Sequence, residues 1–296
     1  MNVAPLHWET QRVFLAVLRT GSLTAAARTL GIAQATARRR IDALEKSVGT
    51  SLFIRSPAGL MPTDTARELV GHVESMALAA EAFARTASAK TDMPGGTVRI
   101  TCNQLLGVEV LPLMLKDLRN AQPELALELS ISNRLEDLAL QEADVAVRIR
   151  RPTESSVITR HVGDLQIGLY ATPALLTHRT PSSPTDLVDF PLIGPDRNLK
   201  EWAFLAEQGF HCTREHAVIR TDSHLAQFAA LKAGLGIGVC SSQLARQHSL
   251  VRVLPEHVDF RVDVWVAMHY DLKRVRRITM VFDALSQQLS RFLSGA

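Results

Sequence analysis

Cysteine is scarce: the three residues, Cys102, Cys212 and Cys240, are odd in number and far apart, which excludes a disulfide framework. No apolar run approaches the roughly 18 residues that a membrane span requires. The N-terminus lacks the charged-then-apolar pattern of a secretory signal, so a reducing cytoplasm is the expected compartment and no membrane partner is expected. Enzyme signatures are missing as well. There is no Walker loop, no H-E-x-x-H and no G-x-S-x-G. The glycine-rich GLGIGV at 234–239 follows a helical stretch and enters a strand-like one, the reverse of a dinucleotide loop. His211, Cys212 and His216 are too few ligands in too loose a segment to define a metal site. Cys102 as a redox sensor lacks an obvious resolving partner. The ten histidines are scattered. No catalytic constellation, metal or cofactor is expected. No internal repeat or low-complexity tract is present either.

What remains is an ordinary globular composition, 46% hydrophobic and 21% charged over 296 residues, enough chain for two or three cores. The net charge of +3 is too mild to demand a polyanionic partner, but it is unevenly placed. Between Gln11 and Arg55 eight basic residues face only Asp42 and Glu45, a local charge of +6.

That segment has a recognisable pattern. ETQRVFLAVLR (9–19) puts Val13, Phe14, Val17 and Leu18 on one helical face, and Thr20-Gly21-Ser22 stops it. TAAARTL forms a short second helix ending at Gly31, with small alanines suited to a close helix crossing. In the third, QATARRRIDALE (34–45), Ala37, Ile41 and Leu44 define the buried stripe, Arg39 and Asp42 point away from it, and Arg38 and Arg40 flank it. A solvated charged face and a nucleic-acid-reading helix both satisfy this run taken alone. Next to the second helix it completes a helix-turn-helix. SLFIRS, the turn Pro57-Ala58-Gly59 and Leu60-Met61-Pro62 read as a two-stranded wing with Arg55 near its tip. From Thr63 to about Thr86 a single long helix follows, with Leu69, Val73, Met76, Ala80 and Phe83 on its apolar stripe. Pairing with a second copy, or packing on the chain's own second domain, would bury it. SAKTDMPGG (88–96) is a linker. Beyond it, short apolar strands alternate with amphipathic helices, indicating α/β architecture with mostly parallel sheets. The strands are TVRITC, LALELSI, DVAVRI, QIGLYA, PLIG, HAVIR, GIGVCS and VDVWVAMH. Helices are expected over LGVEVLPLMLKDLRNA and RLEDLALQE, and around 201–208, 223–233 and 276–293.

In order, FLAVLRTGSLTAAARTLGIAQATARRRIDALEKSVGTSLFIR, GLMPTDTARELV, GTVRIT, LPLMLKDLRNAQPELALELSISNRLEDL, ADVAVRI and KAGLGIGVCSSQLA resemble the LysR-type transcriptional regulators across nearly the whole chain. The resemblance implies an all-α winged helix-turn-helix domain (1–62), a dimerisation helix and hinge (63–94), and an α/β effector domain of two lobes (95–296). That last domain is similar to periplasmic binding proteins, with lobe I at about 95–165 and 268–296 and lobe II at about 166–267. It also implies a homodimer or homotetramer seamed by Leu69, Val73, Met76, Ala80 and Phe83, acting on double-stranded DNA, with RNA polymerase as a further partner. Two positions depart from the family pattern. Ala33-Gln34-Ala35 stands where Ser-Gln-Pro or Ser-Gln-Ser is common, losing a helix cap worth about 1 kcal/mol. Arg38 stands where Ser is frequent.

In this setting Gln34 and Thr36 are placed to reach base edges, and Arg38 and Arg39 to contact guanine or phosphate. Arg40 and, from the wing, Arg55 are placed to contact backbone phosphate. A small-molecule effector, for which a carboxylate suits the cationic residues, is expected at strand ends and helix starts. Those positions are Thr101, Asn103, Gln104 and Leu105; Asn133 with Arg134; Arg148 with Arg150; and Asp222 with Ser223. Arg148 has Asp144 and Asp164 as alternative partners, and a cap alone would also account for Ser223. The competing reading is a small-molecule-binding α/β protein whose N-terminal module serves assembly; the local +6 charge disfavours it.

Overall fold

The computed structural model describes residues 7–56, 59–87, 95–131, 143–154, 156–207, 210 and 212–295. The chain forms two compact units, 1–88 and 89–296.

In the first unit, α1 (Trp8–Thr20), α2 (Leu23–Leu30) and α3 (Gln34–Val48) precede a hairpin of β1 (Phe53–Ser56) and β2 (Gly59–Pro62), and α4 (Asp64–Ala87) follows. Gly21, at φ +64°, ends α1, and Ser22 Oγ accepts from the Ala25 N–H to start α2. Val13, Phe14 and Val17 of α1, Ala26 and Ala27 of α2, and Ala37, Ile41 and Leu44 of α3 share one core with Leu52. The wing is locked to the turn between α1 and α2. The Leu60 N–H donates to Gly21 O at 2.9 Å, and a Cβ at Gly59 (φ +116°) would lie 2.7 Å from that same oxygen, so no side chain fits there. Glu45 Oε1 accepts the Leu52 and Phe53 amides at 2.7 and 3.2 Å, fixing where the wing leaves α3.

The second unit runs β3 (Gly96–Cys102), α5 (Gln104–Glu109), α6 (Leu111–Ala121), β4 (Leu125–Ile131), β5 (Val145–Arg148), β6 (Val157–Ala171), β7 (Leu192–Gly194) and α7 (Leu199–Glu207). It continues with β8 (Ala217–Arg220), α8 (His224–Lys232), β9 (Gly238–Ser241), α9 (Ser242–Gln247), β10 (Val251–Val253), β11 (Asp259–His269) and α10 (Arg276–Ser294). Its large sheet has the order β10-β6-β11-β5-β3-β4, with β9 also on β6; β7 and β8 form a separate pair. One apolar core joins β3, β5, α6 and α10 to Phe228, Leu231 and Leu244; a second gathers around Leu169, Leu187, Trp202, Phe210 and Val258.

Three sequence expectations need correction. The sheets are not mostly parallel: β3 pairs β4 and β5 in parallel, and β7 pairs β8, but β6, 15 residues long, runs antiparallel to β9, β10 and β11. Strands joined by helical crossovers come out parallel, whereas β6 and β11 lie side by side as one long ribbon. QIGLYA is only the end of β6; its first half carries Arg160, His161 and Asp164 and so hid from an apolar pattern. The helix expected over 106–121 is two helices, broken at Val110 (φ −117°, ψ −55°) before Pro112, which has no N–H to continue the ladder. Finally, α9 and β10 carry no expectation at all. The helix expected over RLEDLALQE lies outside the described residues.

Candidate nucleic-acid interface and effector site

The packing of α3 decides which of its side chains face outward. With Ala37, Ile41 and Leu44 buried, Gln34, Arg38 and Arg39 are exposed and Thr36 is half-buried. Arg39 has no ion pair or hydrogen bond among the described residues. Arg38 Nε lies 3.9 Å from Asp42 Oδ2, a loose surface pair worth well under about 1 kcal/mol and easily exchanged for a phosphate. Arg40 differs from its sequence reading: its guanidinium turns back to α1 and sits 2.8 Å from Glu9 Oε2. Nothing in the periodicity of α3 signals this, because Glu9 is 31 residues away. Arg55 is exposed on β1, opposite Leu60 in the wing register. Ala33 makes no side-chain cap, so α3 starts without the bond that Ser22 gives α2.

The stripe of α4 divides in two. Ala66 and Val73 are buried in the winged-helix core with Leu69 packed against them; Ala80 is half-buried, Met76 is exposed, and Phe83 is 76% exposed. The face expected to hold a partner therefore begins at about Met76.

In the second unit the parallel register places the ends of β3, β4 and β5 together. Thr101 pairs with Ser130 and Ala146, and Arg148 lies two residues beyond Ala146. Thr101, Asn103, Gln104 and Leu105 thus cluster at the carboxyl end of the sheet with Arg148, while Asn133 and Arg134 lie outside the described residues. Roles differ within the cluster. Asn103 Oδ1 accepts the Leu106 N–H at 2.8 Å and caps α5. Leu105 packs on the core. Arg148 is buried. The Thr101 hydroxyl is fully buried and finds no hydrogen-bond partner among the described residues. Asp144 accepts the Arg99 amide at 2.8 Å.

At the other candidate junction, Ser223 Oγ caps α8 through the Ala226 N–H. Asp222 accepts the backbone N–H groups of Asp196, Arg197 and Asn198 at 2.8, 3.0 and 3.1 Å. Desolvation pushes its carboxyl up, but those amides and the Arg197 charge together hold it below the usual range. Asp222 organises the loop before α7. The C-terminal ends of α5 and α8 are joined by a pair the sequence did not suggest: Lys232 Nζ donates to Glu109 Oε1 at 2.8 Å.

The redox alternative weakens. All three cysteines are buried and none is in a disulfide, and burial pushes the Cys240 thiol up to about 12 and raises Cys212 also. His211 lies outside the described residues. Among those residues, no helix is long and apolar enough to cross a membrane.

Comparison with known proteins settles the family. Residues 8–67 match the family model for the bacterial regulatory helix-turn-helix protein, lysR family, and residues 91–290 match the LysR substrate binding domain. The chain belongs to the LysR family of transcriptional regulators. This LysR-family chain is 33% identical over 164 residues to the Mau operon transcriptional activator of Paracoccus denitrificans, covering 55% of this chain and 58% of that protein. It is 24% identical over 295 residues to the HTH-type transcriptional regulator CrgA of Neisseria meningitidis serogroup C, covering 97% and 98%. The full-length structure of AphB, the Vibrio cholerae virulence activator, superposes with a TM-score of 0.60 at 21% identity over 98% of this chain and 99% of that one. The family is one of DNA-binding regulators rather than enzymes. Its two models fall on the two parts read from the sequence, a helix-turn-helix domain and an α/β effector domain.

Proposed function

We propose that this chain is a cytoplasmic, ligand-responsive regulator that reads operator DNA with Gln34, Thr36, Arg38 and Arg39 and grips phosphate with Arg55. Arg40 acts mainly by bracing α3 against α1. The division of labour follows residues 1–62 for DNA, 63–94 for dimerisation and hinge, and 95–296 for the effector. The exposed half of α4 seams a homodimer, two of which form a tetramer, and the DNA-bound assembly influences RNA polymerase. A small carboxylate binds between the lobes, at Thr101, Gln104 and Arg148. The observation that carries the DNA reading is the exposed Arg39, without an ion pair among the described residues, beside Arg38 on the outer face of a helix-turn-helix.

Salt titration tests it. With Arg38, Arg39 and Arg55 each neutralising one phosphate in both protomers, the affinity for the gene's own upstream DNA should fall with a log–log slope near about −5. A module serving assembly alone would give a slope near zero. For the effector half, Thr101→Val replaces an unpartnered hydroxyl by a methyl group. It should leave the melting temperature unchanged or raised while abolishing the carboxylate-dependent change in the DNA footprint. A normal footprint response would remove Thr101 from the ligand site.

A further inference from the structure

The antiparallel ribbon of β6 and β11 carries a constellation that the regulator reading does not use. Asp164 and Asp263 are direct partners across the ladder, followed by Gly163 with Val264 and then His161 with Trp265. The register slips between Val264 and Trp265, so Val162 is an extra residue on β6. In a regular strand, side chains three apart face opposite sides of the sheet; the extra residue turns His161 onto the face of Asp164. The result is His161 Nε2 at 3.0 Å from Asp164 Oδ1 and 3.7 Å from Asp263 Oδ1, with all three ligating atoms within 4.8 Å of one another. Nitrogen and oxygen donors at about 2.1 Å from one ion stand about 3.0–3.4 Å apart, so the triad closes around an ion with a small adjustment.

A second observation concerns charge. Like charges directly opposed on an antiparallel ladder destabilise it. No arginine or lysine forms an ion pair with either aspartate among the described residues; their shared neighbour is the His161 imidazole. The ribbon is held from behind, with Val162, Leu165 and Val264 in the core, Ser290 Oγ donating to Val162 O at 2.9 Å, and Gln243 Nε2 donating to Asp164 O at 3.2 Å. The triad's outer face is open to water.

We propose that His161, Asp164 and Asp263 bind one divalent transition-metal ion through Nε2 and two carboxylate oxygens, with water completing its coordination. The imidazole sets the class: a nitrogen donor beside two carboxylates favours zinc, nickel or cobalt over magnesium and calcium, which prefer oxygen alone. The ion would neutralise the opposed carboxylates and tie β6 to β11.

Trp265 supplies a reporter, its ring centroid being 4.9 Å from that of His161, and the chain has only two other tryptophans. Tag-free full-length protein is titrated with Ni²⁺ and Zn²⁺, with Mg²⁺ as the hard-ion control, by tryptophan fluorescence and calorimetry. One ion per chain should bind, Ni²⁺ should quench part of the emission, and Trp265→Phe should lose that quenching. His161→Ala should weaken binding at least tenfold. Asp263→Asn should also weaken it yet melt higher than the wild type without metal, a gain that a merely structural aspartate would not give. Equal binding of Mg²⁺, quenching that survives Trp265→Phe, or wild-type affinity in either ligand variant would overturn the proposal.

Discussion

Truncating Phe83 should split the assembly while leaving each protomer folded, whereas truncating Val73 should do the opposite. The two residues lie ten apart on one stripe of α4, and their spacing alone makes them equivalent. Their environments do not: Val73 is 6% exposed inside the winged-helix core, and Phe83 is 76% exposed. A phenylalanine presents about 200 Å², so about 150 Å² of Phe83 remains for a partner; at about 25 cal/mol per Å² that is about 4 kcal/mol per copy as an upper figure. Truncation to alanine in a symmetric seam, where each copy contributes, should therefore weaken association by about 2–4 kcal/mol, roughly 30- to 1,000-fold. Val73→Ala removes buried methyl groups, costing about 1–3 kcal/mol of domain stability. Sedimentation velocity across a concentration series, with thermal melting by circular dichroism, separates the two effects. If Phe83→Ala keeps the wild-type mass under dilution, the exposed end of α4 is not the seam.

Arg39→Ala should weaken specific operator binding by about 1–3 kcal/mol, whereas Arg40→Ala, whose partner is Glu9, should cost less in DNA affinity and lower the melting temperature instead; anisotropy titrations reporting equal losses would refute the distinction. The cysteines should be inert in the native state: at pH 8, with Cys240 held near about 12, a disulfide reagent should titrate none of the three within minutes and all three in denaturant. A fast native thiol would reopen the redox reading. His224 Nε2 donates a hydrogen bond to Glu201 Oε1 at 3.1 Å, which burial opposes and the charges of Glu201 and Asp222 reinforce, so its value is raised above 6.5. A raised folded value stabilises fully below about pH 6.5 and is lost as pH climbs through that folded value, so melting curves should show a decline there that Glu201→Gln removes.

The first unit was legible because its local signals agree. Gly21, Ser22 and Gly31 punctuate the helices where the sequence places them, and the stripe Ala37, Ile41, Leu44 leaves one choice for the outward face of α3. What escaped depends on contacts distant in sequence. The turn of Arg40 to Glu9, the link between Glu109 and Lys232, and the register of β6 against β11 leave no trace in a short window. The half of β6 rich in polar residues shows the same limit: its side chains are only partly buried, so the two-residue alternation that betrays a strand is blurred. At the candidate effector site the strand ends and helix starts were legible but the employment of the side chains was not, because a cap and a ligand contact call for the same residue types.

That overlap narrows the candidate effector site. Asn103 and Ser223 each satisfy a first-turn amide of their own helix, and Asp222 accepts three amides of a neighbouring loop. Removing any of these would disturb the fold and the ligand response together, so their mutation cannot isolate binding. The Thr101 hydroxyl stands apart. A buried hydroxyl without a partner costs about 1–3 kcal/mol, and this one, unpartnered among the described residues, sits one residue from the end of β3, at the same end of the sheet as Arg148. A ligand oxygen accepting its proton would recover that cost only in the bound state. The same term then supplies a preference for the liganded arrangement, which is the differential affinity an effector needs to shift a regulator between two states.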